Sequence, residues 1–183
     1  MLGGEMGCHD DAEFPWLTDE VALIQKAHEQ QIPVLGICLG GQLVAHALGG
    51  RVLAGACHEI GWFETEVLID DPLLGPPAAA YQFLWHSDAF EMPPGARALA
   101  SGRIPGRAPL AFRSGTSYGL QFHPEVTEEL VAGWVATDDG ELAELGVDGS
   151  ALVAATSHHD RHYRRQAKRI ADGFAALIAS RHP

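Results

Sequence analysis

Cys38 lies at the centre of a Gly-x-Cys-x-Gly pattern, between Gly36 and Gly40. The apolar run 32–37 before it is typical of a buried strand, and the residues from Gly40 onward have the apolar spacing of a helix that ends at Gly49-Gly50. A sharp strand-to-helix turn holds its central residue in a strained conformation, and glycines let the neighbouring backbone pack closely. The helix dipole favours a thiolate at that point. The pattern therefore predicts a nucleophilic cysteine, with a buried cysteine on a glycine-rich turn as the alternative.

His123, Pro124 and Glu125 supply the groups that a nucleophilic cysteine needs. A histidine can take the thiol proton and deliver it to a leaving amine, and a carboxylate can orient the ring. Since Pro124 restricts His123 to extended backbone, Glu125 is expected on the same side of the chain as His123. The preceding run 117–122 predicts the strand that carries them. Taken alone the tripeptide also fits a turn at a strand end, but together with Cys38 it predicts a catalytic triad.

These two motifs resemble those of the class I, or triad, glutamine amidotransferases. The resemblance implies that Cys38 is the nucleophile, His123 the base and Glu125 its orienting group. Two further segments, Glu59-Ile60-Gly61-Trp62 and the run 92–96, resemble the stand-alone, GMP-synthase-like branch of that family. The likeness extends from Gly3 to about Trp134.

The resemblance also implies how the substrate is held. The Gly3-Gly4-Glu5-Met6 loop is similar to the family's GGPxS loop, although Glu5 stands where the family has proline. Backbone N–H groups of Gly4 and Leu39 are then expected to form the oxyanion hole. Further substrate contacts are expected from four residues, namely Gln42, His86, Ser87 and Asp88, with a structural role as the alternative for His86 and Asp88.

The fold expected from the resemblance is α/β, with three layers and a mostly parallel, flavodoxin-like sheet flanked by helices. Residues 1–183 are expected to form a single domain of this type. Because Met1 lies almost against the Gly3-Gly4 loop, the strand-helix segment that usually comes first in the family has no counterpart here, and we expect an N-terminally shortened domain.

The activity implied is hydrolysis of the glutamine side-chain amide to glutamate and ammonia through a γ-glutamyl thioester on Cys38. No metal and no organic cofactor is expected. An ammonia-accepting synthase is a possible partner. Two alternatives stay open: a hydrolase of γ-glutamyl peptides or conjugates, and a truncated domain that binds a partner without catalysis. Two other classes fit less well. In cysteine-dependent α/β-hydrolases the acid comes before the histidine in chain order, whereas Glu125 follows His123. In DJ-1-like proteins a histidine commonly follows the cysteine directly, whereas Leu39 follows Cys38.

Composition limits the remaining classes. The 183 residues carry a net charge of −12, which argues against nucleic-acid binding, as does the lack of a basic stripe outside a cluster in the last helix. No apolar run approaches the roughly 20 residues that span a membrane. Three cysteines, an odd number, fit a reducing cytoplasm better than a disulfide framework.

Periodicity predicts the elements around these motifs. A helix is expected over 17–31 with Thr18 as its N-cap, a second helix after a Thr127 cap, and an amphipathic C-terminal helix from about Tyr163. Short strands are expected in six places: 52–54, 65–69, 81–85, 98–100, 110–112 and 117–122.

Two other clusters of reactive residue types are given structural interpretations. Cys57, His58 and Glu59 are adjacent in sequence. Because successive side chains of a strand point to opposite faces, these three cannot form a relay among themselves. His158, His159 and His162 include an i, i+4 pair without the glutamate of a helical zinc motif, which favours a solvated helix start.

Overall fold

The computed structural model describes residues 1–102, 108–138 and 140–180, with the side chains of residues 160–162 outside the description. Five helices and eight strands are found in these ranges. In chain order they are α1 (Trp16–Glu29), β1 (Val34–Ile37), α2 (Leu39–Ala47), β2 (Val52–Leu53), β3 (Glu59–Val67), β4 (Ala78–His86), β5 (Ala89–Phe90), β6 (Arg97–Gly102), β7 (Pro109–Ser114), β8 (Ser117–Leu120), α3 (Glu128–Thr137), α4 (Glu141–Glu144) and α5 (Gly149–Ala179).

Six of the strands form one mixed sheet in the order β1-β8-β7-β6-β3-β4, and β2 and β5 form a separate antiparallel pair. The expected α/β class is confirmed, but the expectation of a mostly parallel sheet is wrong for the described strands. Only β1 and β8 run parallel, and the other four pairings in the large sheet are antiparallel. Short connections explain the difference: β7 and β8 are joined by Gly115 and Thr116 alone, and a connection so short can join only antiparallel strands.

Helices cover both faces of the sheet and give the three expected layers. On one face, α1 and α2 pack over a core that includes Leu43, Val44 and Phe112. On the other face, Ile170 of α5 packs on a core that includes Leu84 and Leu120. A third cluster, which combines aromatic and aliphatic side chains, lies between β4, α3 and α5. Because β1 and β8 are parallel neighbours, their carboxyl ends meet at one edge of the sheet, and the chain segments that follow them start side by side.

The helix ends test the predicted capping residues. Thr127 does cap α3, because its side chain accepts a hydrogen bond from the Leu130 N–H at 3.1 Å. Thr18 is not a cap, since α1 begins earlier, at Trp16, after Pro15. A helix often begins near proline because the missing N–H is not needed in its first turn.

The C-terminal helix is longer than predicted. It spans 31 residues and is capped by Asp148, whose side chain accepts hydrogen bonds from the N–H groups of Ser150 and Ala151. His158 and His159 therefore lie inside the helix and not at its start, while the side chain of His162 is outside the described set. Among the described residues, no helix combines the length and apolar character needed to cross a membrane.

Candidate active site

Cys38 occupies the junction between β1 and α2 in a backbone conformation that few non-glycine residues adopt. Its φ is 52° and its ψ is −112°, and its N–H donates to the Leu120 carbonyl at 2.7 Å. Conformations of this kind cost roughly 1–3 kcal/mol and persist where the surrounding packing enforces them. The predicted strained turn is therefore present, with the thiol at the N-terminus of α2.

The glycines around Cys38 are required by close backbone contacts. A Cβ added to Gly36 would lie 2.2 Å from the Gly40 carbonyl oxygen, and one added to Gly41 would lie 2.6 Å from the Leu120 carbonyl oxygen. Real Cβ atoms do not approach backbone so closely. The glycines thus allow β1, α2 and β8 to meet at the point where the thiol emerges.

His123 and Glu125 lie just beyond the end of β8, at the same edge of the sheet as Cys38. The His123 Nδ1 and Glu125 Oε1 atoms are 2.7 Å apart, as the His-Pro-Glu spacing predicted. The backbone of His123 is fixed on both sides, since its N–H donates to the Phe83 carbonyl at 2.9 Å and the Tyr163 hydroxyl donates to its carbonyl at 2.5 Å. The Trp134 ring packs edge-on to the imidazole at 5.1 Å.

The electrostatic surroundings of His123 favour its protonated form. Burial alone would lower the pKa of this histidine, but the contacts with Cys38 and Glu125 outweigh burial and raise the pKa to about 9. The His123 ring and the Cys38 side chain both border Gly3: a Cβ added there would lie 3.1 Å from His123 Cε1 and 3.5 Å from Cys38 Cβ. A thiolate beside an imidazolium is the form in which a cysteine attacks an acyl carbon.

The thiol itself is enclosed by two further groups. The Trp85 carbonyl oxygen and the Gln121 Nε2 atom each lie 3.8 Å from Cys38 Sγ. From sequence, Gln121 is predicted only as part of the strand before His123, and the contact of its amide with sulfur depends on a strand register that no local pattern indicates. An amide N–H near sulfur is suited to stabilise a thiolate.

The predicted substrate-contact residues meet along one wall of the same site. The Gln42 side chain donates to the Asp88 carbonyl at 3.3 Å, and the Asp88 carboxylate accepts the Gly55 N–H at 2.9 Å. The backbone carbonyl of Ser87 accepts the Cys57 N–H at 3.0 Å. These contacts hold the 86–88 loop against α2 and against the segment 55–57.

His86 is turned into this wall. Its Nδ1 lies 2.7 Å from the Asp88 carbonyl and its Nε2 lies 3.2 Å from Glu59 Oε2, at ion-pair distance but without good hydrogen-bond alignment. Both ring nitrogens are thus engaged within the chain, which favours a role in holding the loop. Burial alone would lower the pKa of His86, but contacts with Cys57, Glu59 and the Asp88 carbonyl raise it to about 10.

A cleft of about 1080 Å³ opens in front of Cys38 and contains both groups of residues. Its lining includes the 3–7 loop, with Gly4 and Glu5, and the 85–88 segment. Glu141 of α4 closes one end, where its carboxylate accepts the Trp85 indole N–H at 2.9 Å. No pattern in the sequence places Glu141 here, because it lies in an acidic stretch without a motif.

Two groups of side chains among the described residues have the composition of a metal site. They are Cys8 with His9 and His46, and Cys57 with Glu59 and His86, and within each group the possible ligand atoms lie within 4.8 Å of one another. Neither of these two groups includes Cys38, His123 or Glu125.

Comparison with known proteins identifies the class that this fold and site represent. The family model "Glutamine amidotransferase class-I" matches residues 7–131, about two thirds of the chain. The chain belongs to the class I glutamine amidotransferase family, as its motifs predicted.

Its relatives include whole synthases and a separate synthase component. The chain is 36% identical over 107 residues to a subunit of the glutamine-hydrolyzing GMP synthase of Thermococcus kodakarensis, covering 57% of each sequence. It is 35% identical over 105 residues to the glutamine-hydrolyzing GMP synthase of Aquifex aeolicus, covering 56% of this chain but 21% of that protein. The chain therefore matches between a fifth and just over half of the length of these relatives.

A solved structure supports the fold assignment. The crystal structure of a glutamine amidotransferase from Thermotoga maritima superposes with a TM-score of 0.86 at 28% identity, covering 96% of this chain and 75% of that one.

Proposed function

We propose that this chain hydrolyses the side-chain amide of glutamine to glutamate and ammonia through a thioester on Cys38. The observation that carries the proposal is that Cys38, on a strained backbone turn, lines the same cleft as His123 and Glu125. Within that cleft His123 Nδ1 lies 2.7 Å from Glu125 Oε1. Family membership supports the same chemistry, since the matched relatives bear the name glutamine-hydrolyzing.

In the first half of the proposed reaction, the Cys38 thiolate attacks the amide carbon and the carbonyl oxygen becomes an oxyanion. The backbone N–H groups of Leu39, at the start of α2, and Gly4, in the facing loop, are the proposed donors to it. Donors of this kind are each worth about 2.7–4 kcal/mol. The His123 imidazolium gives its proton to the departing ammonia, leaving a γ-glutamyl thioester.

In the second half, water enters and His123 acts as the base. It takes a proton from the water, the second oxyanion collapses, and glutamate leaves as the thiolate re-forms. Glu125 keeps the His123 ring oriented and stabilises its charged form at each step, because the carboxylate contacts Nδ1 and leaves Nε2 for Cys38 and substrate.

The amino-acid end of the substrate is proposed to lie along the wall formed by Gln42 and the 86–88 loop. Gln42, His86, Ser87 and Asp88 all line the cleft. Because the His86 nitrogens and the Asp88 carboxylate already have partners in the chain, we assign His86 the role of positioning the loop. Backbone groups and the Ser87 hydroxyl are left to contact the ligand directly.

We further propose that the ammonia is passed to a synthase partner in a reducing cytoplasm. The Thermococcus relative bears the name of one component of a synthase, which supports a partner that contributes the other component. The odd cysteine count and the free state of all three cysteines support the reducing location.

The test is covalent labelling by an electrophilic glutamine analogue, with the adduct located by peptide mass spectrometry. We expect a single adduct on Cys38 that is lost in Cys38→Ala and strongly slowed in His123→Ala. Cys57→Ser is the matched control, because it removes a thiol outside the triad, and its labelling should equal that of the parent chain. Labelling elsewhere, or equal labelling of His123→Ala, would contradict the proposal.

A second assay separates substrates. Ammonia release from glutamine should exceed release of the amine from γ-glutamyl dipeptides. The opposite order would favour a γ-glutamyl hydrolase, and labelling without turnover of either would favour a domain that works only with its partner.

A further inference from the structure

A thiol and two imidazoles outside the triad come together where the 3–10 loop meets α2. Cys8, His9 and His46 each offer one possible ligand atom, and these three atoms lie within 4.8 Å of one another. The His9 and His46 rings meet edge to face, with their centroids 5.2 Å apart. One sulfur and two imidazole nitrogens form a donor set that suits Zn²⁺, which is a borderline-soft ion.

A turn in the loop brings two neighbouring residues to the same ring. The Asp10 N–H donates to the Gly7 carbonyl at 3.2 Å, which closes a turn around Cys8 and His9. In a strand, adjacent side chains would point to opposite faces, whereas in this turn both reach His46. His46 lies in the last turn of α2. The three donors therefore meet only because the loop packs on this helix.

The apolar core fixes the position of the sulfur. Cys8 is 5% exposed and belongs to the cluster that includes Leu43 and Val44 of α2, whereas His9 is exposed and its side chain can rotate. Bond lengths of about 2.0–2.3 Å around a tetrahedral Zn²⁺ place the donor atoms about 3.4–3.6 Å apart. Since the three donors already lie within 4.8 Å of one another, shifts of about 1 Å in the histidine side chains complete this geometry.

The two histidines have ring nitrogens to offer. Among the described residues, neither the His9 ring nor the His46 ring has a hydrogen-bond partner within the protein. The second group with the composition of a metal site differs on this point, because both nitrogens of its histidine, His86, already lie against other groups of the chain. A metal bound by the first group would therefore break no hydrogen bond between its rings and the described chain.

Two carboxylates give the site a negative potential. Burial, followed by the charges of Asp88 and Asp10, raises the pKa of the Cys8 thiol to about 11. The same charges attract a cation, in a chain whose net charge is −12. Because a Zn²⁺ ion deprotonates a thiol that coordinates it, Cys8 would bind as the thiolate despite its raised pKa.

We propose that Cys8, His9 and His46 bind a divalent transition-metal ion of the Zn²⁺ type, which ties the 3–10 loop to α2. The three side chains replace three waters of the hydrated ion, the thiol proton passes to solvent, and a fourth position stays with water. The proposed glutamine chemistry takes no step through this ion. Its role is to hold the loop that carries Gly4 against the helix that begins beside Cys38.

The first test measures metal binding by the full chain after treatment with a chelator and a thiol reductant. Co²⁺ is the probe, because a coordinated thiolate gives it a charge-transfer absorption in the near ultraviolet that nitrogen and oxygen ligands do not give. We expect one Co²⁺ per chain with this absorption band, and we expect Zn²⁺ to displace it. Absence of the band in the parent chain at saturating Co²⁺ would overturn the inference.

Variants assign the ligands. Cys8→Ser should abolish the band, and His9→Gln, at an exposed position where folding is not at risk, should weaken binding by at least about 100-fold. Changes behind the ligands alone cost about 10–100-fold in metal affinity. Cys57→Ser and Cys38→Ala are the matched controls, because each removes another thiol near a histidine, and both should keep the band and the affinity. Parent affinity in His9→Gln, or loss of the band in either control, would overturn the assignment.

The second test measures whether the ion holds the loop. Amide hydrogen exchange is followed by mass spectrometry in peptides that cover residues 3–10, with and without one equivalent of Zn²⁺. Exchange should slow several-fold in the parent chain and stay unchanged in His9→Gln. Equal exchange of the parent chain with and without bound Zn²⁺ would overturn the proposed tie between the loop and α2.

The effect on turnover rests on the proposed function. Because the Gly4 N–H is proposed to act on the oxyanion, one equivalent of Zn²⁺ should raise kcat for glutamine several-fold and change KM less, and a chelator should reverse this. Equal kcat with and without Zn²⁺ would overturn the effect. If the chain hydrolyses no glutamine while Co²⁺ binding still depends on Cys8 and His9, the proposed function fails and the metal site stands.

Discussion

Replacing Gly41 with alanine tests the claim that the backbone around Cys38 has no room for a side chain. The new Cβ would lie 2.6 Å from the Leu120 carbonyl oxygen and 3.1 Å from the Leu120 nitrogen. Both are backbone atoms of β8 and cannot rotate away. The start of α2 must therefore move from β8, and the same Leu120 carbonyl that accepts the Cys38 N–H at 2.7 Å is displaced.

The expected magnitude follows from three terms. Forcing an extra methyl group into a packed site costs about 1–3 kcal/mol. Weakening the Cys38–Leu120 hydrogen bond costs about 1 kcal/mol more. Alanine is the better helix former by about 1 kcal/mol, which opposes the first two terms. Gly41→Ala should therefore lower the free energy of unfolding by about 1–3 kcal/mol.

Gly133→Ala is the matched control. Gly133 also lies inside a helix, α3, but a Cβ there would meet nothing within 4 Å, so only the helix propensity changes. It should stabilise the chain by about 0.5–1 kcal/mol. With roughly 2–4 °C per kcal/mol for a chain of this size, the two melting temperatures should lie on opposite sides of the parent value.

Differential scanning calorimetry at one pH, supported by urea unfolding, would measure both variants. The Gly41 variant should also lose labelling by the glutamine analogue, because the thiol moves with the turn. Equal stability of the two alanine variants would refute the steric argument, and a stable Gly41 variant with full labelling would refute the link between that packing and the nucleophile.

Four further predictions concern His123 and the two helices beside it, α3 and α5. Glu125→Gln should reduce glutamine turnover by about 10²-fold, since the ring loses the charge that orients it, as measured by ammonia release. The folded-state pKa of His123 is raised to about 9, so the stability that this histidine contributes is complete below about pH 6.5 and is lost as the pH rises toward 9. The melting temperature should therefore fall over that interval, and it should fall less in Glu125→Gln. Tyr163→Phe should lower the free energy of unfolding in urea by about 1–2 kcal/mol, because the buried His123 carbonyl loses its hydrogen-bond donor. Thr127→Ala should lower it by about 1 kcal/mol through loss of the α3 cap, without changing the pH dependence of the melting temperature.

The parts of the site that sequence predicted are those fixed by local geometry. A cysteine between glycines at a sharp turn predicts a strained backbone and close contacts, and both occur at Cys38. The two-residue spacing of His123 and Glu125 through a proline places their side chains together, at 2.7 Å. Each depends on a few consecutive residues, so no knowledge of the sheet was needed to predict them.

The parts that sequence missed depend on strand pairing. Parallel and antiparallel strands have similar apolar patterns, and the direction of β6, β7 and β8 follows from connection lengths that the motifs do not report. The contacts of His86 with Glu59 arise from residues 27 positions apart in sequence that face each other across a ladder. For the same reason Glu141 could not be placed at the cleft, since it reaches that site through a hydrogen bond with the Trp85 indole.

Cys38 and Cys57 both have a histidine and a glutamate nearby, but only Cys38 has surroundings suited to acyl transfer. Cys38 lies at the N-terminus of α2, lines the cleft and has backbone N–H groups nearby that suit an oxyanion. Cys57 Sγ lies 3.6 Å from His86 Nδ1, but that nitrogen is already 2.7 Å from the Asp88 carbonyl, and Cys57 is not among the described residues that line the cleft. Thiolate formation requires only a nearby positive charge, whereas acyl transfer also requires room for the acyl group and donors for its oxygen. The surroundings of Cys38 therefore support the proposed glutamine hydrolysis, whereas those of Cys57 do not offer what acyl transfer requires.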